Sequence, residues 1–258
     1  MNNPENAEDL ATPALAMTRK MDQERTLVIV PTYNERENIS ALIEQILRRV
    51  RNADVLVIDD NSPDGTADHV MKVFSHETRC SVLRRKGLRG YGLSCLDGYR
   101  YALKRDYTRL VQIDADFSHD PKSIPDLINA NKGADVVVGS RYCPEGSAAD
   151  WPVHRRLLSW FANGYISKIT GVNVRDATTG FRCYNRRAVE TIVGNSVMSE
   201  GYSILVEATY IARKAGLSIV EVPITFLDRR EGKSKMSVRV IFESILMPWR
   251  LRFRGNRN

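Results

Sequence analysis

The chain is poor in the residues that build redox centres or metal cages. Its four cysteines (Cys80, Cys95, Cys143 and Cys183) stand far apart, with no CxxC pair and no histidine at zinc-ligand spacing. They read as reduced thiols of a cytosolic protein. The four histidines (His69, His76, His119 and His154) show no metal spacing either, and are expected at the surface or at helix caps. No apolar run approaches the ~18 residues of a membrane span. The longest candidate, Val240 to Trp249, is interrupted by Glu243 and Pro248. A basic start followed by an apolar block, the mark of a secretory signal, is also missing. Residues 1–25 read instead as a disordered tail, with Met17 or Met21 as alternative starts. The absence of GxxxxGKS/T argues against a P-loop nucleotide hydrolase. GLRGYG (87–92) lacks the spacing of a dinucleotide fingerprint.

The composition, 43% hydrophobic and 27% charged, is that of a soluble globular chain. The net charge of +7 is unevenly placed. From Arg229 to Asn258 there are nine basic residues against two acidic ones, so the first 228 residues sum to zero. A phosphate-rich partner, lipid or nucleotide, is therefore expected at that end. Nucleic acid is disfavoured, because the neutral remainder shows no interleaving of aromatic and basic residues.

Apolar, β-branched runs alternate with helical patterns. Strands are expected at 26–31, 54–60, 80–85, 109–116, 134–140 and 217–226. Between the first two, Ile39, Leu42, Ile43, Ile46, Leu47 and Val50 recur three and four apart and mark one face of a helix. Further helices are expected in TADHVMKVFSHE, LSCLDGYRYALKR, SIPDLINANK, VHRRLLSWFANGYISKIT, YSILVEATYIARKAG and SVRVIFESILMPWRLRFR. Repeated βα units with near-continuous apolar strands imply an α/β fold. Its sheet should be Rossmann-like and mainly parallel, with helices on both faces. Such sheets bind ligands at the carboxyl ends of their strands, where this sequence gathers PTYNE (31–35), DDNSPDG (59–65), DADFSHD (114–120) and GSRY (139–142).

The acidic doublet is the most specific of these. On a strand, Asp114 and Asp116 would point to one side and Ala115 to the other. Neighbouring carboxylates raise each other's pKa unless a cation lies beside them. A hard divalent ion such as Mg2+ or Mn2+, bridging the phosphates of a nucleotide diphosphate, would supply it. A solvated turn capping the following helix is the alternative. In PTYNE a base could stack on Tyr33 while Glu35 accepts hydrogen bonds, or Asn34 could simply cap a helix. Asp60 needs a partner if it faces the crevice, and a base or ribose would serve. FLDRREGKSK (226–235) places four basic residues around a glycine, as a phosphate-gripping loop or as solvated charge.

Taken together, PTYNE, VIDDNSPDGT, QIDADFSH, GSRY, DATTGFR, GYSILVEA, EVPITF and DRREGKSK resemble the family 2 glycosyltransferases of the GT-A fold. Within that family they resemble the dolichol- or polyprenol-phosphate mannose synthases. The ordered match spans about Leu27 to Lys235. The resemblance implies a GT-A catalytic domain over 26–236 and a basic amphipathic C-terminal helix and tail over 237–258. It also implies transfer of mannose from GDP-mannose to a polyprenol or dolichol phosphate, with inversion and with Mg2+ or Mn2+. By matching positions, Pro31, Tyr33, Glu35, Ile58 and Asp60 would hold the guanosine. Asp114, Ala115, Asp116 and Ser118 would hold metal, diphosphate and ribose, with Asp114, Asp116 and Ser118 as metal ligands. Arg141, Arg155, Arg229 and Lys235 would bind phosphates, and Asp116, Arg141 and Arg155 would be the catalytic set. Where some relatives have a glutamine metal ligand, this sequence has Ser118. Transfer of glucose, N-acetylglucosamine or another sugar by the same fold is the alternative reading.

Some relatives carry transmembrane helices after this domain. This sequence resembles the single-domain type, which can need a small membrane-anchoring subunit. Localisation is then expected in the cytoplasm, peripherally on the cytoplasmic face of a membrane. Phe242, Ile245, Leu246, Trp249 and Phe253 beside Arg250, Arg252 and Arg254 suit an interfacial segment.

Overall fold

A computed structural model describes residues 7–9, 24–148, 151–227 and 238–254. Its strands are β1 (Ala7–Asp9), β2 (Thr26–Thr32), β3 (Ala53–Asp59), β4 (Cys80–Arg85), β5 (Arg109–Gln112), β6 (Val136–Ser140), β7 (Arg182–Asn185) and β8 (Ile219–Pro223). They form one sheet in the order β1-β4-β3-β2-β5-β7-β6-β8. The pairs β2/β3, β3/β4, β2/β5 and β6/β8 are parallel; β7 runs antiparallel to both β5 and β6, and β1 antiparallel to β4. The expectation of a mainly parallel sheet thus holds, with β7 as an unforeseen reversal. The helices are α1 (Arg36–Arg49), α2 (Thr66–Val73), α3 (Tyr91–Lys104), α4 (Ile124–Ala130), α5 (Val153–Thr170), α6 (Arg186–Gly194), α7 (Ile204–Lys214) and α8 (Val238–Arg254).

Period-two alternation divides the core between two faces. On β2, Leu27 and Ile29 join Ile58 of β3 and pack on Tyr99 of α3, Ile192 of α6 and Ala208 of α7. Val28 and Val30 point the other way, to Ile39, Ile43 and Ile46 of α1 and Val70 of α2. Burying both faces explains why these strands are apolar without interruption. A third cluster seats Met247 and Leu251 of α8 against Ile166 of α5 and Tyr210 of α7, so α8 is packed onto the rest of the fold.

The chain lays down β2, β3 and β4 in one direction, then returns across β2 to β5. The point where strand order reverses lies between β2 and β5, and the crevice outside their carboxyl ends is where such sheets receive ligands.

Buried arginine holds the return path. Arg182 of β7 is fully buried and donates to the carbonyls of Thr179 (2.9 Å), Ala177 (2.8 Å) and Leu205 (2.8 Å) and to Thr209 Oγ1 (2.6 Å). This one side chain ties the 176–180 turn to α7. Arg182→Met keeps the bulk and strands those acceptors, so a loss of about 3 kcal/mol or more is expected. Urea unfolding followed by circular dichroism measures it.

Candidate active site

A crevice of about 580 Å³ opens at that reversal. Its walls are Pro31, Thr32, Tyr33 and Glu35 after β2, Asp60 after β3, Arg89, Gly90, Tyr91 and Ser94 around the start of α3, Asp114 to Asp116 after β5, and Tyr202.

The first two motifs brace each other. Asn34 and Asn61 both take left-handed φ near 57°, a conformation asparagine tolerates. Asn34 thus turns the chain, and the residue preceding the helix is Glu35. The Asn34 amide donates to Ser62 Oγ (3.0 Å), that of Glu35 to Thr66 Oγ1 (3.1 Å) and that of Arg36 to Asp64 Oδ2 (3.1 Å). Asp59 accepts from the Ser62 amide and hydroxyl and from Thr32 Oγ1. At the rim, the Arg89 guanidinium lies 4.8 Å from the centre of the Tyr33 ring and donates to its hydroxyl.

Asp60 has protein partners, so it does not depend on a base or ribose to supply one. Arg85 donates to its Oδ1, and the Gly90 amide to its Oδ2 (2.7 Å). Arg85 is itself buried and also donates to Asp97 Oδ2 (2.8 Å) and to the Leu88 carbonyl (3.1 Å). It therefore joins the end of β3, the 86–90 loop and α3.

The acidic doublet does not sit on a strand. β5 ends at Gln112, and residues 113–118 form a turn in which Phe117 has φ of 60°. Strand alternation is thus not what brings Asp114 and Asp116 to the crevice. The turn does it, fixed by the Ser118 amide (3.1 Å) and hydroxyl (2.6 Å), which both donate to Asp116 Oδ1. Ser118 is buried and does not line the crevice, so its hydroxyl shapes Asp116.

Asp114 is held from beneath. Tyr91 Oη donates to Asp114 Oδ1 (2.8 Å) and accepts from Gln112 Nε2 (2.9 Å), and Gln112 Oε1 accepts from Tyr99 Oη (2.7 Å). Burial, and then the Asp114 charge, push the Tyr91 phenol well above its ordinary pKa, so it remains a donor. Tyr91 also stacks on Tyr202, with centroids 4.6 Å apart. Gly180 closes the back. A Cβ there would lie 2.6 Å from Tyr91 Oη and 2.9 Å from both Asp114 oxygens.

His119 is buried, contrary to a surface or cap position. Its ring packs on Phe181 and Phe226, with Nδ1 3.6 Å from Asp114 Oδ2. Burial holds its pKa below the ordinary value, and the imidazole is neutral.

The remaining expected site residues fall elsewhere. Ile58 is a core side chain beneath the crevice. Arg141 is buried outside it. Its guanidinium grips Asp176 through Nε (2.7 Å) and Nη2 (2.7 Å), and Nη2 also donates to Thr178 Oγ1 (2.8 Å). This ion pair pins the 176–180 turn. Arg155, in the first turn of α5, lies 3.9 Å from the centre of the Trp151 ring. Arg229 and Lys235 lie outside the described residues, as does the side chain of Phe242. The four thiols are free, and burial keeps Cys95 and Cys183 protonated.

Arg89, Gly90, Tyr91, Ser94 and Tyr202 are lining residues that sequence reasoning missed. As sequence, GLRGYG shows only a glycine spacing that fails the dinucleotide fingerprint. Its Gly90 and Gly92 instead permit close packing, since a Cβ would meet Glu200 O at 2.4 Å or Ser199 O at 2.6 Å.

The donor set suits a hard divalent ion. Among the described residues no group of three or more His, Cys, Asp or Glu forms a cage. Two carboxylates on one crevice wall match the way Mg2+ is held, by one or two carboxylates completed by substrate phosphates and water.

Comparisons with known proteins agree with this geometry. Residues 27–193 match the sequence profile described as Glycosyl transferase family 2. A polyprenol monophosphomannose synthase of Mycolicibacterium smegmatis is 41% identical over 240 residues, covering 91% of this chain and 90% of that protein. An undecaprenyl-phosphate mannosyltransferase of Micrococcus luteus is 39% identical over 222 residues, covering 86% and 91%. Among solved structures, glucosyl-3-phosphoglycerate synthase from Mycobacterium tuberculosis, bound to Mn2+, UDP-glucose and phosphoglyceric acid, superposes with a TM-score of 0.61. That match has 18% identity over 87% of this chain and 79% of that one, a likeness of fold that agrees with the expected GT-A architecture.

Two outcomes follow. Tyr91→Phe removes the donor to Asp114, and Mn2+ affinity read by electron paramagnetic resonance should weaken about ten-fold. The same change orphans the buried Gln112 amide and should cost about 1–3 kcal/mol of stability. Burial alone would raise Asp176, but the Arg141 charge and hydrogen bonds outweigh it and hold the carboxyl below its usual value. The stability this gives is complete above the unfolded value near ~4 and is lost as pH falls through the lower folded value. Arg141→Met should cost about 3–5 kcal/mol at neutral pH. That penalty should shrink on acidification, because the stranded carboxyl then takes up a proton; unfolding measured across pH checks it.

Proposed function

Because the chain belongs to glycosyl transferase family 2, we propose that it is a polyprenyl-phosphate mannosyltransferase using GDP-mannose and a divalent ion. The observation that carries this reading is the meeting of Asp114 and Asp116 with Tyr33, Glu35 and Asp60 in one crevice at the reversal of strand order. Two relatives of about 40% identity, named as acting on polyprenol or undecaprenyl phosphate with mannose, support the substrate class.

In this reading the nucleoside lies along the β2 side. The base stacks on Tyr33, and Glu35 accepts from base or ribose. Asp60, fixed by Arg85 and Gly90, presents its edge to the same moiety. Asp114 and Asp116 hold Mg2+ or Mn2+, which when bound neutralises the diphosphate leaving group. An oxygen of the lipid phosphate attacks the anomeric carbon from the face opposite the departing diphosphate, so the new C–O bond forms with inversion. A phosphate monoester has its second pKa near about 6 and is largely dianionic at neutral pH. No protein base is needed. The chain's task is to hold two anions in line, a matter of position and electrostatics. Arg155, Arg229 and Lys235 serve the phosphates by charge. Arg141 contributes by keeping the 176–180 turn behind Asp114.

The acceptor places the enzyme at a membrane surface, on the cytoplasmic face that its free thiols suit. Among the described residues no helix is long and apolar enough to cross a membrane; a small membrane-anchoring subunit, as the single-domain type can need, is part of this reading.

Asp116→Ala should lower transfer of labelled mannose from GDP-mannose to polyprenyl phosphate by about a hundred-fold or more. Full activity in that variant would remove the doublet from the mechanism. In thermal-shift titrations with Mn2+, GDP should stabilise the chain more than UDP. The reverse order would reassign the donor to a uridine-linked sugar.

A further inference from the structure

Helix α5 is apolar on the outside. Val153, Leu157, Leu158, Trp160 and Phe161 are 58–71% exposed, and their spacing puts them on one broad face, turned away from the buried Asn163 and Ile166. Single exposed apolar residues are ordinary on a protein surface; a contiguous cluster with two large aromatics marks an interaction site.

The cluster continues onto α8. Ile245, Leu246, Trp249 and Phe253 are 44–62% exposed, while Met247 and Leu251 of the same helix pack inward. The two helices are tied at this face. Trp249 Nε1 donates to Tyr165 Oη (2.9 Å), and Tyr165 Oη donates to the Ile245 carbonyl (2.9 Å). The charge of the two helices is predominantly positive. α5 contains Arg155, Arg156 and Lys168 and no acidic residue, and α8 contains Arg239, Arg250, Arg252 and Arg254 against the single Glu243.

We propose that the paired outer faces of α5 and α8 form a bilayer-docking surface, with Trp160, Phe161, Trp249 and Phe253 entering the headgroup–acyl boundary and the flanking cations meeting anionic lipid. The inference rests on the mannosyltransferase reading only for its purpose, since a polyprenyl phosphate is carried in a bilayer. The surface itself follows from exposure and charge. Aromatic and aliphatic side chains on one face, with arginine and lysine beside them, are what a helix lying in the interface plane presents. Anionic headgroups complement the predominantly basic surround. α5 carries an exposed apolar face of its own, so docking does not reside in the C-terminal helix alone.

The test uses the full chain and vesicles without any polyprenyl phosphate, so that acceptor recognition plays no part. The wild type should co-sediment with phosphatidylcholine–phosphatidylglycerol vesicles, and less with phosphatidylcholine alone. Trp160→Ser/Phe161→Ser, and independently Leu157→Ser/Leu158→Ser, should each weaken partition by about ten-fold or more. Val73→Ser, an equally plain loss of an exposed apolar group on α2, should not. Unchanged vesicle binding in both double variants overturns the proposal. So does a wild type that ignores vesicles but self-associates in sedimentation velocity through the same residues, since the face would then be an interface between copies.

Transfer to a short, water-soluble prenyl phosphate separates docking from chemistry. Retained transfer in variants that have lost vesicle binding supports docking as a separate function. No transfer by the wild type, with vesicle binding intact, would sink the mannosyltransferase reading and leave the docking surface standing.

Discussion

Asp114 is a carboxylate placed where a sheet reverses its strand order, with a second carboxylate two residues on, and much of the surrounding architecture serves to keep it there. Tyr91 donates to it from below and is itself oriented by Gln112, which Tyr99 orients in turn. The line of hydrogen bonds runs from the apolar core to the crevice wall. Each member has its partners, so none can rotate without leaving a buried polar group unsatisfied. Gly180 completes the arrangement by being small, since any side chain there would collide with the Tyr91 hydroxyl and with Asp114 itself. The rigidity has a chemical use. Two like charges tolerate each other best where a cation is expected, and a cation is bound best by ligands that are already oriented.

Arginine is used twice over in this fold. Arg85, Arg141 and Arg182 are all buried, and each joins segments that meet near the crevice. Arg85 holds Asp60 and the loop before α3. Arg141 and Arg182 both act on the 176–180 turn that backs Asp114. Arg85 and Arg141 are each fixed by a buried carboxylate and so are costly to free. Arg182 is fully buried among carbonyls, so these three are poor candidates for gripping a mobile phosphate. Positive charge for that purpose has to come from exposed residues. Arg89, exposed on the rim of the crevice, is one such residue.

How much of this was legible in the sequence follows from what each pattern encodes. The parallel strands were readable because burial on both faces makes them continuously apolar, and α1 because its buried residues recur three and four apart. β7 was not, since RCYN is four residues long and half polar; its place is set by Arg182, whose partners are distant in sequence. α6 was equally quiet, although Asn185 caps it by accepting from the Ala188 amide (2.9 Å). At the site, the residues that could be named were those whose chemistry is unusual at a strand end: the acidic doublet, Tyr33, Glu35 and Asp60. What could not be seen was which polar groups were already paired. Spacing alone does not show that Asp60 faces Arg85 or that Arg141 faces Asp176, because those partners are 25 and 35 residues away. Tyr91 escaped for a related reason: a tyrosine between glycines reads as a loop until the turn it supports is in view.

Hydrogen bonds join the inner side of α5 to the turn behind Asp114, which gives the docking proposal a consequence for chemistry. β6 runs parallel to β5 through the intervening antiparallel β7, so the segment leading from β6 into α5 leaves the sheet on the edge where Asp114 lies. On its inner side α5 presents Asn163, which accepts from the Ala177 amide (2.8 Å) and donates to Thr178 Oγ1 (3.3 Å). That places one end of a short path on the helix face opposite the exposed aromatics, and the other at Gly180, behind Asp114. A helix seated on a bilayer would fix the height of the crevice above the headgroups, and the same helix holds the turn that aligns the crevice wall. A lipid phosphate reaching up from the interface would thus meet a site whose position and internal alignment depend on one element.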